Sequence, residues 1–175
     1  WLTGLPRSGK TAIAKRLCAK LHKRGVHSQI LSTDELRKVM TPNPTYSEDE
    51  RERVYATIVY MANILNQNRV NVIIDGTGNR RRYRDLARRE LKKSALVYVR
   101  CPLEVCVARE KRRGKESGAP TEIYQKAFDG GSVTVPGVNV PYEEPLDAEV
   151  VVDSDRIGAS ECAEEILRQL WNLFF

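Results

Sequence analysis

A run of eight residues near the start of the chain has the composition of a phosphate-binding loop. The pattern G-x-x-x-x-G-K-[ST] is matched at every position by Gly4, Leu5, Pro6, Arg7, Ser8, Gly9, Lys10 and Thr11. The two glycines let backbone N–H groups turn inward around phosphate oxygens. In such loops the lysine reaches the β- and γ-phosphates, and the threonine hydroxyl can ligate Mg²⁺. The run therefore predicts that the chain binds a nucleoside triphosphate.

The residues on either side of this loop supply the context that the motif requires. Residues 1–3 are bulky and partly β-branched, which is typical of the end of a buried strand. After the loop, Ile13, Leu17 and Leu21 have the spacing of one helix face. A glycine-rich turn that binds nothing is the alternative, and the strand-loop-helix context disfavours it.

Beyond the loop, predicted strands alternate with predicted helices. We predict strands at 1–3, 26–31, 70–74, 95–100 and 149–152, the third of them central, and helices at 12–23, 32–40, 48–66, 81–93, 103–112, 124–128 and 160–173. Such alternation indicates a parallel sheet covered on both faces. The prediction is an α/β fold of the three-layer P-loop NTPase type with a five-stranded parallel sheet. It forms one domain over 1–175, with a lid segment at 110–127.

The composition is that of an ordinary globular protein. The chain has 175 residues, of which 41% are hydrophobic and 30% charged, and it shows neither a membrane-spanning run nor a signal peptide. Its four cysteines form no C-x-x-C pair, which favours reduced thiols and a cytoplasmic location over disulfides or zinc. A net charge of +6 suits a protein that handles anions, and it does not separate nucleotides from nucleic acid.

Two aspartates follow predicted strands, where ligands bind in parallel sheets. Asp34 comes just after the second strand and is a candidate to deprotonate an acceptor hydroxyl and to help hold Mg²⁺. The local alternative is that Ser32 and Glu35 form a capping box and Asp34 only favours the helix dipole. Asp75 ends the third strand and is either a ligand of Mg²⁺ or part of a turn-forming Asp-Gly pair.

Several basic residues are candidates for binding anions. Arg37 and Arg51 lie near helix starts beyond the second strand, and Arg109 ends a helix that enters the lid segment, where it can bind transferring phosphates. Each of them has a solvated surface position as its alternative. Residues 80–93 form the densest basic run, which is either a solvated face or a contact for RNA.

With these segments in view, the chain resembles the adenylylsulfate kinase (APS kinase) family over nearly its whole length. The opening Trp-Leu-Thr-Gly-Leu matches closely, and residues 31–37 lie where the family has L-D-G-D-N-x-R. Tyr46-Ser47 and Arg51 match its F-S and D-R positions, and residues 101–109 match C-P-L-E-V-C-x-x-R. Residues 123–127 resemble L-Y-K-K-A, and residues 136–145 resemble T-G-I-D followed by P-Y-E-P-P.

The resemblance implies that Mg·ATP phosphorylates the 3′-hydroxyl of adenosine 5′-phosphosulfate (adenylylsulfate), giving PAPS and ADP. By that analogy Asp34 faces the acceptor hydroxyl. The analogy also gives the substrate-binding residues, which are Arg37, Tyr46, Arg51, Lys126 and Val138. The family commonly dimerises and often occurs fused to an ATP sulfurylase, so the resemblance implies one of these partners.

Four departures from the family pattern fall on the substrate side. Ser32 stands for the first Asp of D-G-D, Val54 for an Asn, and Val135 for an aromatic that stacks on the substrate adenine. Gly78 stands where a serine would be. They leave open a related kinase with another hydroxyl acceptor, such as a gluconate-type sugar acid, a nucleotide or an RNA end. A degenerate nucleotide-binding regulatory domain is the alternative without turnover.

Overall fold

A computed structural model of the chain describes residues 1–112 and 122–175. Its strands are β1 (Leu2–Thr3), β2 (Ser28–Ser32), β3 (Asn71–Asp75), β4 (Val97–Arg100) and β5 (Val150–Asp153). Its helices are α1 (Lys10–Lys23), α2 (Thr33–Met40), α3 (Glu48–Gln67), α4 (Arg81–Glu90), α5 (Leu103–Arg112), α6 (Ile123–Phe128) and α7 (Ala159–Phe174). The glycine-rich part of the predicted lid, residues 113–121, lies outside the described residues.

The five strands form one parallel sheet in the order β2-β3-β1-β4-β5. The parallel five-stranded sheet is as predicted, and β3 is an interior strand as predicted, since it pairs with β2 on one side and β1 on the other; β1 itself occupies the middle of the sheet. A two-residue strand is too short to show the apolar run by which sequence patterns mark a buried strand. Asp75 pairs with Ser32 on one side and with Leu2 on the other, so β2 and β3 end at one edge of the sheet.

Helices cover both faces of this sheet. On one face α1 and α7 pack over a core that includes Leu2, Ile13 and Ile166, each 1% exposed. On the other face α3 and α4 enclose a second core built around Ile58, Ile74 and two stacked tyrosines, Tyr55 and Tyr83. The buried face of α3 includes Ile58, Val59 and Ala62, whereas Met61 is 36% exposed and lies off that face.

Most helix ends lie within two residues of the prediction, and the largest difference is at the end of α4. Helix α4 stops at Glu90 rather than at residue 93. Helix α7 begins at Ala159 rather than at residue 160, with Gly158 as its N-cap, and the Glu161 carboxylate accepts a hydrogen bond from the Gly158 N–H at 2.8 Å. Ser47 caps the start of α3, since its hydroxyl accepts from the Glu50 N–H at 3.3 Å.

The basic run of residues 80–93 is largely engaged within the molecule. Its arginines pair with carboxylates of α3 and of the 141–149 loop: Arg80 with Glu48 and Glu143, Arg82 with Glu48 and Glu52, and Arg88 with Glu149. Arg84 is 2% exposed and donates to the Glu143 carbonyl. Because these cations already have partners, the run holds α4 against its neighbours. This arrangement argues against contact with RNA and favours the alternative, in which the run binds no nucleic acid.

Candidate active site

A cleft of about 1350 Å³ opens where β2 and β3 end. It brings together twelve of the residues predicted for nucleotide, metal and substrate, which are Pro6, Arg7, Gly9, Lys10, Thr11, Asp34, Arg37, Tyr46, Arg51, Asp75, Arg109 and Lys126. The phosphate loop lies at one end of the cleft. Residues 44–46, 126 and 131–136 contribute the other end.

The phosphate loop depends on glycine at both ends. A Cβ on Gly4 would lie 2.4 Å from the Val99 carbonyl oxygen, so no side chain fits between the loop and β4. Gly9 has a φ of 101°, a left-handed conformation that glycine adopts without strain. The fold therefore requires glycine at position 4 because there is no space for a side chain, and favours it at position 9 because of the backbone conformation.

Lys10 lies at the centre of the loop. Its Nζ donates to the carbonyl oxygens of Gly4 at 2.9 Å and of Leu5 at 2.8 Å, and only 8% of the residue is exposed. Burial lowers the pKa of the Lys10 ammonium from its ordinary value, while the carboxylates of Asp75 and Asp34 oppose that shift. An incoming phosphate can compete with these two carbonyls for the Lys10 N–H donors.

Asp34 and Asp75 place two carboxylates beside Lys10. Asp34 keeps an exposed side on the cleft, but burial by the cleft walls raises its pKa; Lys10 opposes this rise and Asp75 adds to it. Asp75 is 5% exposed and ends β3. A raised pKa keeps Asp34 closer to the range in which a carboxylate accepts a proton efficiently.

The oxygen atoms at this point of the cleft suit Mg²⁺. Thr11, Asp34 and Asp75 supply a hydroxyl and two carboxylates, and oxygen is the ligand that Mg²⁺ prefers. Within residues 1–112 and 122–175 no group of three or more His, Cys, Asp or Glu side chains is suited to hold a metal. Kinase sites commonly hold Mg²⁺ through one or two carboxylates and the substrate phosphates, so this small donor set fits.

Arg109 lies against the outer side of the phosphate loop. Its Nη1 donates to the Ser8 carbonyl and to the Ser154 hydroxyl, both at 3.2 Å, and its Nη2 donates to the Ser154 carbonyl. The Ser154 hydroxyl in turn donates to the Ser8 carbonyl at 2.6 Å. Arg109 thus joins the end of β5 to the loop, at the place predicted for nucleotide contact.

At the other end of the cleft, an aromatic ring and two arginines form one wall. The Arg37 guanidinium lies 4.8 Å from the Tyr46 ring centroid and pairs with Glu50. The second Glu50 oxygen accepts from the Thr45 N–H at 2.6 Å and from the Tyr46 N–H at 3.2 Å. Tyr46 has a φ of 54°, so Glu50 holds a strained turn that presents the ring to the cleft.

Arg51 connects three separate segments around this wall. Its Nε donates to the Tyr46 carbonyl at 2.9 Å, Nη1 to Asn79 Oδ1 at 3.2 Å and Nη2 to the Thr134 carbonyl at 2.6 Å. The residue is only 5% exposed. Its rigid fork of donors therefore fixes the acceptor side of the cleft in addition to charging it.

The four departures lie in different environments. Ser32 and Val135 line the cleft, whereas Val54 is fully buried in the protein interior. Gly78 has a φ of 52°, and a Cβ there would lie 3.0 Å from the Trp1 ring and 3.1 Å from the Arg84 side chain. Two departures thus lie on the wall of the cleft, and a third, Gly78, is explained by its left-handed conformation and tight packing.

Four predicted residues do not line the cleft. Ser8 is fully buried beneath the loop, and Gly4 contributes its carbonyl to Lys10. Leu5 lines a smaller cavity of about 590 Å³ on the other side of the loop. Val138 packs against the cluster around Tyr124, so its placement does not support the predicted contact with substrate.

Sequence reasoning missed the residues that hold the predicted ones in place. Glu50, Asn79, Glu110 and Ser154 each bind a predicted arginine. Glu50 and Glu110 are acidic side chains beside an arginine in a helix, and such pairs have no pattern that distinguishes them from surface pairs. Their burial, with Glu110 only 9% exposed, is a property of the folded chain.

Comparisons with known proteins agree on one family. The sequence model described as adenylylsulphate kinase matches residues 1–153. A probable adenylyl-sulfate kinase of Pyrococcus abyssi is 37% identical over 169 residues, covering 97% of this chain and 92% of that protein. One of Archaeoglobus fulgidus is 36% identical over 156 residues, covering 89% of this chain and 95% of that protein.

A solved structure shows the same fold. The Mycobacterium tuberculosis APS kinase CysC, in complex with AMPPNP and APS, superimposes with a TM-score of 0.87 over 98% of this chain and 95% of that one. The two sequences are 24% identical, so this likeness concerns the fold. It confirms the predicted α/β P-loop kinase architecture with its five-stranded parallel sheet.

Proposed function

Because this chain belongs to the adenylylsulphate kinase family, we propose that it transfers the γ-phosphoryl group of ATP to the 3′-hydroxyl of adenosine 5′-phosphosulfate. The products are PAPS and ADP. The observation that carries this proposal is the single cleft, which holds the phosphate loop at one end and Arg37, Tyr46 and Arg51 at the other. A donor with a triphosphate and an acceptor with an aromatic base and an anionic tail match those two ends.

Each end of the cleft contributes a defined part of the transfer. The loop N–H groups and Lys10 bind the triphosphate and stabilise charge on the transferred group. Asp34 accepts the proton of the 3′-hydroxyl as its oxygen attacks the γ-phosphorus, and the bond to the β-phosphate oxygen breaks to release ADP. Thr11, Asp34 and Asp75 would hold Mg²⁺, which neutralises phosphate charge when bound.

The acceptor is oriented by the wall opposite the loop. The Tyr46 ring offers a stacking surface, and Arg37, Arg51 and Lys126 supply positive charge for the phosphosulfate and ribose side. Arg37 already pairs with Glu50, so an anionic substrate would share rather than create that contact. This wall discriminates between acceptors, whereas the loop selects only for the triphosphate.

Purified protein with Mg·ATP and a panel of acceptors tests the proposal through release of ADP. We expect turnover with adenylylsulfate and none above background with gluconate, nucleoside monophosphates or an RNA 5′-hydroxyl end. Turnover with gluconate but not adenylylsulfate would transfer the proposal to a sugar-acid kinase. Tight binding of nucleotide without turnover on any acceptor would indicate a regulatory domain.

The remaining predictions concern the partners of the chain and its location. No helix in the described parts of the chain is long and apolar enough to cross a membrane. A homodimer, fusion to an ATP sulfurylase and a cytoplasmic location remain predictions from the resemblance and the composition. Gel filtration with light scattering of the full chain distinguishes a monomer from a dimer.

A further inference from the structure

The carboxylate of Glu110 lies where three parts of the chain meet. Glu110 is in the last turn of α5 and is only 9% exposed. Its Oε1 accepts from the Ile123 N–H at 3.0 Å and lies 3.5 Å from Arg7 Nε, and its Oε2 accepts from the Tyr124 N–H at 2.8 Å. One side chain thus contacts the phosphate loop and the first turn of α6.

These contacts replace a cap that α6 lacks locally. The first N–H groups of a helix have no partner inside the helix and need an acceptor from elsewhere. Glu122, which precedes α6, has a φ of 57° and its side chain makes no capping hydrogen bond. Glu110 supplies the acceptor from another helix, and its negative charge suits the positive end of the helix dipole.

A second contact beside Glu110 ties the same turn to the phosphate loop. Tyr124 is fully buried, and its hydroxyl donates to the Pro6 carbonyl at 2.7 Å. The loop therefore meets α6 at two points, through Arg7 and through Pro6. Lys126 follows Tyr124 by two residues and lines the cleft, whereas the next residue, Ala127, packs into the core beside Tyr124.

From this arrangement we infer that Glu110 is a positioning residue, which fixes α6 so that Lys126 meets the acceptor in register with the phosphate loop. The inference rests on the proposed function. A buried carboxylate is costly unless its charge is matched and its oxygens accept hydrogen bonds, and here Arg7 and two N–H groups do both. Glutamine at this position would keep the shape but lose the charge and one of the two acceptors.

A double-mutant cycle tests whether Glu110 acts through Lys126. We expect Glu110→Gln to raise the KM for adenylylsulfate about tenfold, with a smaller change in the KM for ATP, and Lys126→Ala to raise it similarly. In the double variant the two effects should not multiply, because an unplaced lysine and an absent lysine are equivalent. Multiplying effects would overturn the inference.

Two controls separate this role from general destabilisation. Glu104→Gln changes an exposed glutamate on the same helix and should leave both KM values unchanged. Glu110→Asp keeps the charge and should recover most of the loss. If Glu110→Gln does not fold, Tyr124→Phe, which removes the contact of α6 with the Pro6 carbonyl, takes its place in the cycle. An aspartate variant as impaired as the glutamine one would count against placement by the carboxylate.

A readout independent of turnover keeps the two proposals distinguishable. In the full chain, Glu110→Gln should speed amide hydrogen exchange at Ile123 and Tyr124 about tenfold without changing exchange in α1. Faster exchange with no activity on adenylylsulfate in the parent chain would sink the proposed function while retaining the placement of α6. Unchanged exchange at both amides would sink the placement.

Discussion

The two ends of the cleft are built in different ways. At the nucleotide end, the phosphate loop itself is one continuous segment, residues 4–11, in which Lys10 bonds to carbonyls only five and six residues before it, and Arg109 and Ser154 support it from outside. At the acceptor end, the single side chain of Arg51 bonds to Tyr46, Asn79 and Thr134, and Thr134 lies 83 residues away in sequence. One end is therefore specified locally and the other only by the complete fold.

This difference explains where the chain departs from its family. The phosphate loop fits its motif at every position because main-chain geometry leaves little choice at residues such as Gly4. The acceptor wall is assembled from side chains on several loops, so a change such as Val135 can be absorbed by its neighbours. We therefore expect mutations at the two ends to affect different kinetic constants.

The largest effect is expected at Asp34, which acts between the two ends. Asp34→Asn should lower kcat by about 10²–10⁴-fold, because asparagine cannot take the acceptor proton. Binding of ATP measured without Mg²⁺ should change little, since the loop and Lys10 remain. Stopped-assay ADP release gives kcat, and calorimetry gives the nucleotide affinity. An unchanged rate would remove Asp34 from the mechanism.

The pH dependence of the same reaction gives a signed check. Burial raises the Asp34 pKa, and the base must be ionised to accept a proton, so kcat should fall as pH drops through that raised value. The acid limb of the pH profile of kcat should be centred above the ordinary pKa range of an aspartate. It should be missing from the profile of the residual activity of Asp34→Asn. An acid limb that survives in the variant would belong to another group.

Lys10→Ala breaks the nucleotide end alone. Losing a preorganised donor to the transferred phosphate should cost about 10²–10³-fold in kcat, with weaker ATP binding. The KM for the acceptor should change far less. Arg16→Ala, an exposed change on the same helix, is the matched control. If Lys10→Ala altered only the acceptor KM, the division of the cleft into two ends would be wrong.

The contrast between the ends also sets how much the sequence can predict. The order of elements, the phosphate loop and the approach of Asp34 and Asp75 all follow from local patterns, and the structure brings these residues together. The middle position of β1 was missed, since two residues carry too little pattern. Residues 113–121, which belong to the predicted lid, lie outside the described residues.

Local sequence patterns could not identify the residues that hold the predicted arginines in place, and the reason is physical. The sequence shows that Glu50 and Glu110 are charged but not that they are shielded from water, and burial is what makes such a carboxylate structural. Likewise, the run of arginines at 80–93 suggested a free cationic surface until its partners on α3 and the 141–149 loop were placed. These contacts join residues between 13 and 103 positions apart in sequence, beyond the reach of a local pattern.

Arg51→Lys tests whether the acceptor end depends on the donor geometry of Arg51 in addition to its charge. Lysine keeps the charge but cannot donate to Tyr46, Asn79 and Thr134 together, so the KM for adenylylsulfate should rise about tenfold, or about 1.4 kcal/mol. ATP affinity should stay unchanged. Arg53→Lys, an exposed neighbour on α3, should have no effect on either constant. A rise in the KM for ATP instead would show that the ends are coupled.

Val135→Phe is expected to have the smallest effect, because two contributions oppose each other. An aromatic ring on the cleft wall can add about 1–3 kcal/mol of stacking with the acceptor base. Val135 is only 6% exposed and packs in the cluster around Tyr124, where extra volume costs about 1–3 kcal/mol of stability. We expect a lower melting temperature together with an acceptor KM reduced a few-fold. Stacking acts only on bound substrate and crowding acts on the folded chain itself, so measuring the acceptor KM and the melting temperature separates the two contributions. A lower melting temperature with an unchanged KM would mean that the base does not reach residue 135.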